Sequence, residues 1–449
     1  MTNAPNTVFV FGLAVAGRAV AKALATRGMT VSVGDDSFNQ EHRDFAREIG
    51  AHVVDVTNAS ELQSVMSSNG ILAPAPGVPE NHFVIRSARE HHVSIQSEIE
   101  IAYRIEQHRP GGSRPMVAVT GTDGKTSTTL MANAILNASG FQSEAVGNTE
   151  IPLIDSLASQ ATAFAVECSS FRLEHIDTFR AQASAWLNIA PDHLDWHSSF
   201  QKYFESKAKM WAHCVSTDVA VAPVSDPRIL EVAHGSRARV VTFGLSDGDY
   251  CLRDGQLVGP RGVIMAASDM QRSLPHDVSN ALAAAAVCIE SGLSTESQVA
   301  AALMSFTNAA HRIQFVRELD GVRWFNDSKA TSPHAASAAL KSFAHVVLIA
   351  GGKNKGLDLS QMACEPERMR AVVAIGASAP DIAHAFSGVC TVEVAESMKG
   401  AVASARVLAQ PGDVVLLSPG CTSYDWYSNY GERGDDFMNC VNQLSEHRL

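Results

Sequence analysis

Val117-Ala-Val-Thr-Gly-Thr-Asp-Gly-Lys-Thr-Ser127 is the stretch on which the reading of the chain turns. An apolar run enters a turn carrying Gly121 and Gly124, then Lys125, Thr126 and Ser127, then the helix-forming residues 129–136. Two glycines let backbone N–H groups turn inward around phosphate oxygens, the helix start adds partial positive charge, and Lys125 adds a full one. The Thr126 hydroxyl is placed to ligate Mg²⁺. Only Thr122 and Asp123 separate the glycines, where the usual P-loop has four residues between them. Strand, loop, Gly-Lys-Thr and helix follow in the order that phosphate binding needs, which separates this stretch from an ordinary Gly-rich turn.

Upstream, residues 7–11 read as a strand, 18–26 as a helix and 30–33 as a strand ending at Asp35-Asp36, a β-α-β unit. Gly12-Leu-Ala-Val-Ala-Gly17 is close to the dinucleotide fingerprint, but Ala14 occupies the place of the second glycine that admits a pyrophosphate. Asp35 falls where a ribose-binding carboxylate would sit. A nicotinamide redox site is therefore not expected; another nucleotide, or a purely structural turn, remains open. Residues 109–115 are polar and rich in turn formers and read as a linker. A second break falls near 307–311, after an Ala-rich helix over 280–290, and strands at 346–350, 372–375 and 414–417 then alternate with helices. Such alternation implies parallel sheets covered on both faces. The expectation is an α/β protein of three domains, 1–109, 110–308 and 309–449. The first and last would be Rossmann-like, and the central one a P-loop parallel-sheet ATPase.

The 449 residues suffice for several cores, and 46% are hydrophobic, so disorder is not expected. Acidic residues outnumber basic ones, 47 to 35, for a net charge of −12, which argues against a nucleic-acid partner. The eight cysteines are scattered without a Cys-x-x-Cys pair, so neither a zinc site nor a disulfide framework is indicated. The opening MTNAPNTVFVFG lacks a basic segment followed by an apolar one, and no apolar run approaches the ~20 residues of a membrane span. A soluble chain with no membrane partner is expected.

Further motifs make the reading specific. The short loop Gly121-Thr-Asp-Gly-Lys-Thr126 resembles that of the Mur ligases and their folylpolyglutamate synthase relatives, with Asp123 where Asn is usual. Val166-Glu-Cys-Ser-Ser-Phe-Arg-Leu-Glu174 resembles the acidic-Ser-Ser-Phe segment of the glutamate-adding type, with Arg172 where Gln is usual. Asn188-Ile-Ala-Pro-Asp-His-Leu-Asp195, His311-Arg312, Asn326-Asp-Ser-Lys-Ala-Thr331, Leu417-Ser-Pro-Gly-Cys-Thr-Ser-Tyr-Asp425, Asn429-Tyr430 and Arg433-Gly434 follow in family order. The resemblance spans nearly the whole chain. The relatives that act on folates lack a nucleotide-like domain ahead of the P-loop, which this chain has.

The resemblance implies an ATP-dependent cytoplasmic ligase, a monomer, that adds glutamate (D, or in a rarer variant L) to a UDP-muramoyl-alanine precursor. Its partners would be small molecules. The acceptor carboxylate would take the γ-phosphate of ATP to give an acyl phosphate, which the glutamate amine displaces. On this reading Gly121, Thr122, Asp123, Gly124, Lys125, Thr126 and Ser127 hold the triphosphate, with Asn280, Arg312 and Asp327 also on the nucleotide. Asp277 stands beside Asn280 where Asn is usual. Thr126 holds one Mg²⁺, and Glu167 and His193 a second, joined by Lys207 as a carbamate; Lys209 is the neighbouring alternative. Val15, Ala16, Asp35, Asp36, Gly77 and Asn148 would contact the UDP-substrate, although Ala75-Pro76-Gly77 replaces Ser-Pro-Gly and Ser37 replaces a basic residue. Lys329, Thr331, Lys355, Ser423 and the backbone of Tyr430 would hold glutamate, with Lys353 able to stand in for Lys355. A binding-only regulator is the competing reading, and the joint presence of Lys125, Glu167, His193 and Lys329 argues against it.

Overall fold

Strand parity decides how the layers form. In Thr7–Phe11, Val8 and Val10 point into one apolar cluster while Phe9 and Phe11 point into another. Met116–Thr120 repeats this, with Met116 and Ala118 on one face and Val117 and Val119 on the other. So does Val346–Gly351, whose Val346, Leu348 and Ala350 face away from Val347 and Ile349. A strand apolar at every position must be buried on both faces, and covering both faces with helices gives the layered α/β architecture.

A computed structural model of the chain describes residues 7–149, 151–194, 196–307 and 309–445. It contains three sheets. The first is parallel, in the order His52–Val53, Thr30–Gly34, Thr7–Phe11, Ile71–Pro74, Ser94–Ile95. The central sheet has nine strands, and its parallel part runs Arg239–Gly244, Val219–Pro223, Ala183–Trp186, Met116–Thr120, Ala163–Glu167, Ser143–Gly147. The third sheet runs Gln314–Leu319, Val322–Asn326, Val414–Leu417, Val346–Gly351, Met369–Ile375, Thr391–Ala395. Residues up to 273 with 277–306 form one compact unit, and 274–276 with the residues from 307 onward form a second. Within the first unit the N-terminal and central sheets share one apolar cluster, in which Val8 and Val10 belong together with Met116, Ala118 and Trp186. Asn308, at an expected boundary, and Asp195, in a quoted motif, lie outside the described residues.

Helix boundaries extend beyond the periodic apolar pattern. The first helix is Val15–Thr26, starting three residues before the expected 18, and the Ala-rich helix is Pro275–Glu290 rather than 280–290. Proline fits the first turn because its missing N–H would be unpaired there anyway. Every residue from 280 to 289 of that helix is buried. Two edges depart from the parallel expectation. Tyr250–Arg253, Gln256–Gly259 and Gly262–Ala266 form an antiparallel meander on the central sheet, and Gln314–Leu319 pairs antiparallel with Val322–Asn326. Asp254-Gly255 and Asp320-Gly321, both pairs at positive φ, make two of these turns, the geometry that matches the twist of a two-residue hairpin. All eight cysteines are free, and no described helix is long and apolar enough to cross a membrane.

One buried histidine ties the first unit to pH. The His175 carbonyl accepts from Ser97 N–H at 2.9 Å, while its ring Nε2 is buried without a hydrogen-bond partner. Burial, outweighing the adjacent Glu174 carboxylate, pushes its pKa down to about 4. The unfolded chain therefore takes up a proton near pH 6.5 that the folded chain refuses until about pH 4. Folding stability is untouched at pH 7 and falls as pH drops through that window, by up to roughly 3 kcal/mol. His175→Phe is expected to flatten the dependence of Tm on pH between 6.5 and 4, read by thermal melts at fixed ionic strength.

Candidate active site

The P-loop strand Met116–Thr120 lies between Ala163–Glu167 and Ala183–Trp186, with Ser143–Gly147 beyond the former. Registers pair Val119 with Glu167, Gly147 with Glu167 and Thr120 with Trp186, so four parallel strands end at one level. Their following loops deliver residues 121–124, Asn148, Cys168 and Asn188 to the carboxyl edge, where open α/β sheets bind ligands.

Gly124 caps the helix Lys125–Ala138 with φ +80°, and a Cβ there would stand 2.6 Å from Asn280 Oδ1. Only glycine satisfies both the left-handed backbone and that contact. Asn280, 8% exposed, is thus pressed against the loop. Asn188 grips the other side. Its Oδ1 accepts from Thr122 N–H at 3.0 Å and Asp123 N–H at 2.9 Å, and its Nδ2 donates to Asp123 O at 3.1 Å. Thr122 Oγ1 accepts from Ala190 N–H at 2.9 Å and lies 3.0 Å from the Tyr203 hydroxyl. Lys125 Nζ donates to Thr122 O at 2.7 Å, and half-buried Asp123 and Thr126 and buried Ser127 complete the loop and first turn.

Two ionisable side chains lie almost fully buried at this edge. Lys207, on the helix Phe200–Ala208, is 1% exposed; its Nζ donates to Gly121 O at 2.7 Å and stands 4.7 Å from the Tyr203 ring centroid. Burial, with Lys125 nearby, holds its pKa well below the usual lysine range. Lys209 is occupied elsewhere, donating to Glu174 O at 2.6 Å and lying 3.0 Å from that residue's carboxylate. Glu167 is 1% exposed. Its Oε1 accepts from Asn148 Nδ2 at 2.9 Å, and its Oε2 is buried with no hydrogen-bond partner. His193 adopts φ +53°, is half-buried, sets its ring edge-on to Phe171 at 4.7 Å, and has Nε2 3.3 Å from Asp192 Oδ2. No cluster of three His, Cys, Asp or Glu side chains able to hold a metal occurs among the described residues.

On the first sheet, the Asp35 carboxylate accepts from Leu13 N–H at 2.7 Å and Ser37 N–H at 2.9 Å, fixing the turn that follows the first strand. Asp36 lies 3.2 Å from His82 Nε2; Val15 and Gly77 are exposed, and Ala16 is buried behind Val15. Asp277 is fully buried and paired in two-point fashion with Arg272, at 2.6 and 2.7 Å.

In the second unit, Asp327 Oδ1 accepts from Ile313 N–H at 3.2 Å and its Oδ2 from Ser418 Oγ at 2.7 Å. Arg312 is half-buried in the preceding turn. Lys329 Nζ stands 3.8 Å from the Tyr430 ring centroid. Thr331 and Lys355 are half-buried, Ser423 is buried, and Lys353 is exposed with its backbone bridged to Thr422. What holds these loops together is Arg433, which sequence reading left without a role. It is 1% exposed and donates to Ser328 Oγ at 2.9 Å, Ser328 O at 2.8 Å and Cys421 O at 3.1 Å, while Ser328 Oγ donates to Tyr430 O at 2.7 Å. Removing the guanidinium strands three buried acceptors. Arg433→Met is expected to destabilise this unit by on the order of 3 kcal/mol, measured by denaturant unfolding, because buried acceptors left without donors cost about 1–3 kcal/mol each.

Asn188 is the other residue that sequence reading passed over. It opens the motif 188–195 but was given no role there, and its partners lie 65 and 66 positions away.

A Gly-Lys-Thr loop at the carboxyl ends of a parallel sheet, beside a buried lysine and a half-satisfied carboxylate, defines a P-loop enzyme of the nucleotide-using α/β class. Comparison with known proteins narrows the class. The Mur ligase middle domain matches residues 119–288, and the Mur ligase glutamate ligase domain matches residues 311–421. The UDP-N-acetylmuramoylalanine–D-glutamate ligase of Frankia casuarinae is 38% identical over 97% of this chain and 93% of its own. The protein of the same name from Desulfosudis oleivorans is 36% identical over 98% and 96%. The crystal structure of MurF ligase from Thermotoga maritima in complex with ADP shares the fold, with a TM-score of 0.60 at 17% identity over 83% of this chain and 94% of that one. The chain belongs to the Mur ligase family.

Proposed function

We propose that the loop 121–127 with Glu167, His193 and Lys207 is the phosphoryl-transfer centre of an ATP-dependent ligase joining D-glutamate to UDP-N-acetylmuramoyl-L-alanine, a step of peptidoglycan precursor synthesis. The observation that carries the chemistry is the joining of Lys125, Lys207 and the loop backbone in one hydrogen-bonded system at the sheet edge, next to the strand that ends in Glu167. The substrate is supported by full-length relatives named for that reaction.

Forming an amide from a carboxylate requires activation, and catalysis is then positioning plus charge stabilisation. Lys125 and the N–H groups at the helix start would hold the triphosphate. Asn280, which presses on Gly124, would face the nucleotide, and Arg312 and Asp327 would be further nucleotide contacts. Magnesium fits the residues present: Glu167 Oε2 is a buried, unpartnered hard oxygen, and Mg²⁺ is commonly held by one or two carboxylates together with substrate phosphates. Thr126 would hold one ion, and Glu167, His193 and Lys207 the other. Mg²⁺ bound there would neutralise charge building on the transferred phosphoryl group. Burial disfavours the ammonium form of Lys207, and its amine nitrogen would add to carbon dioxide, losing a proton, to become a carboxylate-bearing carbamate. Val15, Ala16, Asp35, Asp36, Gly77 and Asn148 would bind the UDP-substrate. Lys329, Thr331, Lys355, Ser423 and the Tyr430 backbone would bind glutamate. The three segments 1–109, 110–308 and 309–449 divide these tasks, in a cytoplasmic monomer.

Phosphate release from ATP with UDP-N-acetylmuramoyl-L-alanine, run separately with D- and L-glutamate, tests the reading. Release with D-glutamate alone is expected. Release with L-glutamate alone would overturn the stereochemistry, and release with neither would overturn the acceptor.

A further inference from the structure

Helix Glu98–Gln107 of the N-terminal part brings Glu98 against Arg172, and both side chains are almost completely buried, 2% and 7% exposed. Arg172 Nε lies 3.2 Å from Glu98 Oε2, and Glu98 Oε1 accepts from Ile154 N–H at 2.8 Å. The other side of the guanidinium leads to the phosphoryl-transfer centre: Arg172 Nη1 donates to Asn148 Oδ1 at 2.8 Å, and Asn148 Nδ2 donates to Glu167 Oε1 at 2.9 Å. The Asn148 backbone N–H also donates to Glu167 O at 2.9 Å, so residue 148 is fixed to 167 at two points.

The donor inventory makes this chain of contacts directional. A guanidinium only donates, and an ionised carboxylate only accepts. An amide placed between them has one orientation that satisfies both, with oxygen toward Arg172 and nitrogen toward Glu167. Oε1 of Glu167 is thereby occupied, while Oε2 remains buried and unpartnered. Asn148 itself is exposed, and Arg172 is what holds its amide oxygen and so fixes which way the amide faces.

We propose that Arg172, anchored by Glu98, is a positioning residue that orients Glu167 through Asn148 so that one carboxylate oxygen is reserved for the divalent cation. The proposal rests on the reading of Glu167 as a metal ligand. It makes a buried ion pair between the N-terminal and central sheets part of the metal site's support. Groups that orient metal ligands from behind typically change metal affinity 10–100-fold when removed.

The test is Mn²⁺ binding followed by electron paramagnetic resonance, with the β,γ-imido analogue of ATP and no UDP-substrate. Wild type is compared with Glu167→Gln, Asn148→Ala and the double variant Glu98→Gln/Arg172→Met, which removes both charges together so that neither is left buried alone. Cooperative thermal melting checks each fold. Glu167→Gln should lose one bound ion. The other two should keep the stoichiometry but bind that ion roughly tenfold more weakly. Wild-type affinity in both, alongside loss in Glu167→Gln, overturns the positioning role while leaving the metal reading intact. Unchanged stoichiometry in Glu167→Gln overturns the metal reading itself. Failure of both Asn148→Ala and the double variant to melt cooperatively overturns the proposal in favour of a purely structural joint.

Discussion

Lys125→Ala is expected to lower ATP-dependent turnover by about 10²–10³-fold while leaving the fold intact, the usual loss when one preorganised charge-stabilising donor is removed. The side chain is half-buried, and its one hydrogen bond, to Thr122 O, lies within the loop it serves. The loop has independent support from Asn188 and Asn280, so the substitution should not unfold it. Phosphate release by stopped assay, with circular dichroism melts of the same preparations, reads both halves. Near-normal turnover would remove this loop from the chemistry.

Lys207→Ala should also be costly, a loss of about 10–100-fold, because the buried amine stands at the base of the same loop. Lys207→Arg should fare no better, since a guanidinium cannot form a carbamate. If the working group is a carboxylate carried on the amine, small carboxylic acids added to Lys207→Ala should restore part of the activity, and simple amines should not. Rescue by amines instead would make the working group an ammonium.

The parts of this molecule that were legible in its sequence are those whose chemistry is local. The loop 121–127 declares itself within eleven residues, and strands such as Thr7–Phe11 and Val414–Leu417 stand where their apolar runs place them. Helix starts were less legible: Val15 and Pro275 open helices whose first turns carry polar or small residues outside the apolar rhythm. The two antiparallel edges were foreshadowed by Asp254-Gly255 and Asp320-Gly321, but the alternation of strands and helices drew the reading toward parallel pairing throughout. Asn188, Arg172 and Arg433 were illegible for another reason. Their partners are tens of residues distant, and only the strand order, 183–186 beside 116–120 beside 163–167, makes them neighbours. Arg172 was visible as a departure from a pattern; that it is paired with Glu98 was not.

The grip of Asn188 on the loop also bears on how fast nucleotide is recognised. With the amide protons of Thr122 and Asp123 already committed to Asn188, through its side chain and, for Thr122, its carbonyl as well, the peptide units that follow, at Gly124, Lys125 and Thr126, are the ones left to meet phosphate. A cradle shaped before its guest arrives loses little freedom on capture. Deuterium uptake in the ligand-free enzyme should therefore be slow at 122 and 123 and quick just after them, and Asn188→Ala should quicken 123 more than 122, whose N–H keeps the residue-188 carbonyl at 3.2 Å. Arrival of nucleotide at this loop would then resemble a key entering a cut lock, limited by diffusion and charge and hardly at all by rearrangement of the loop itself.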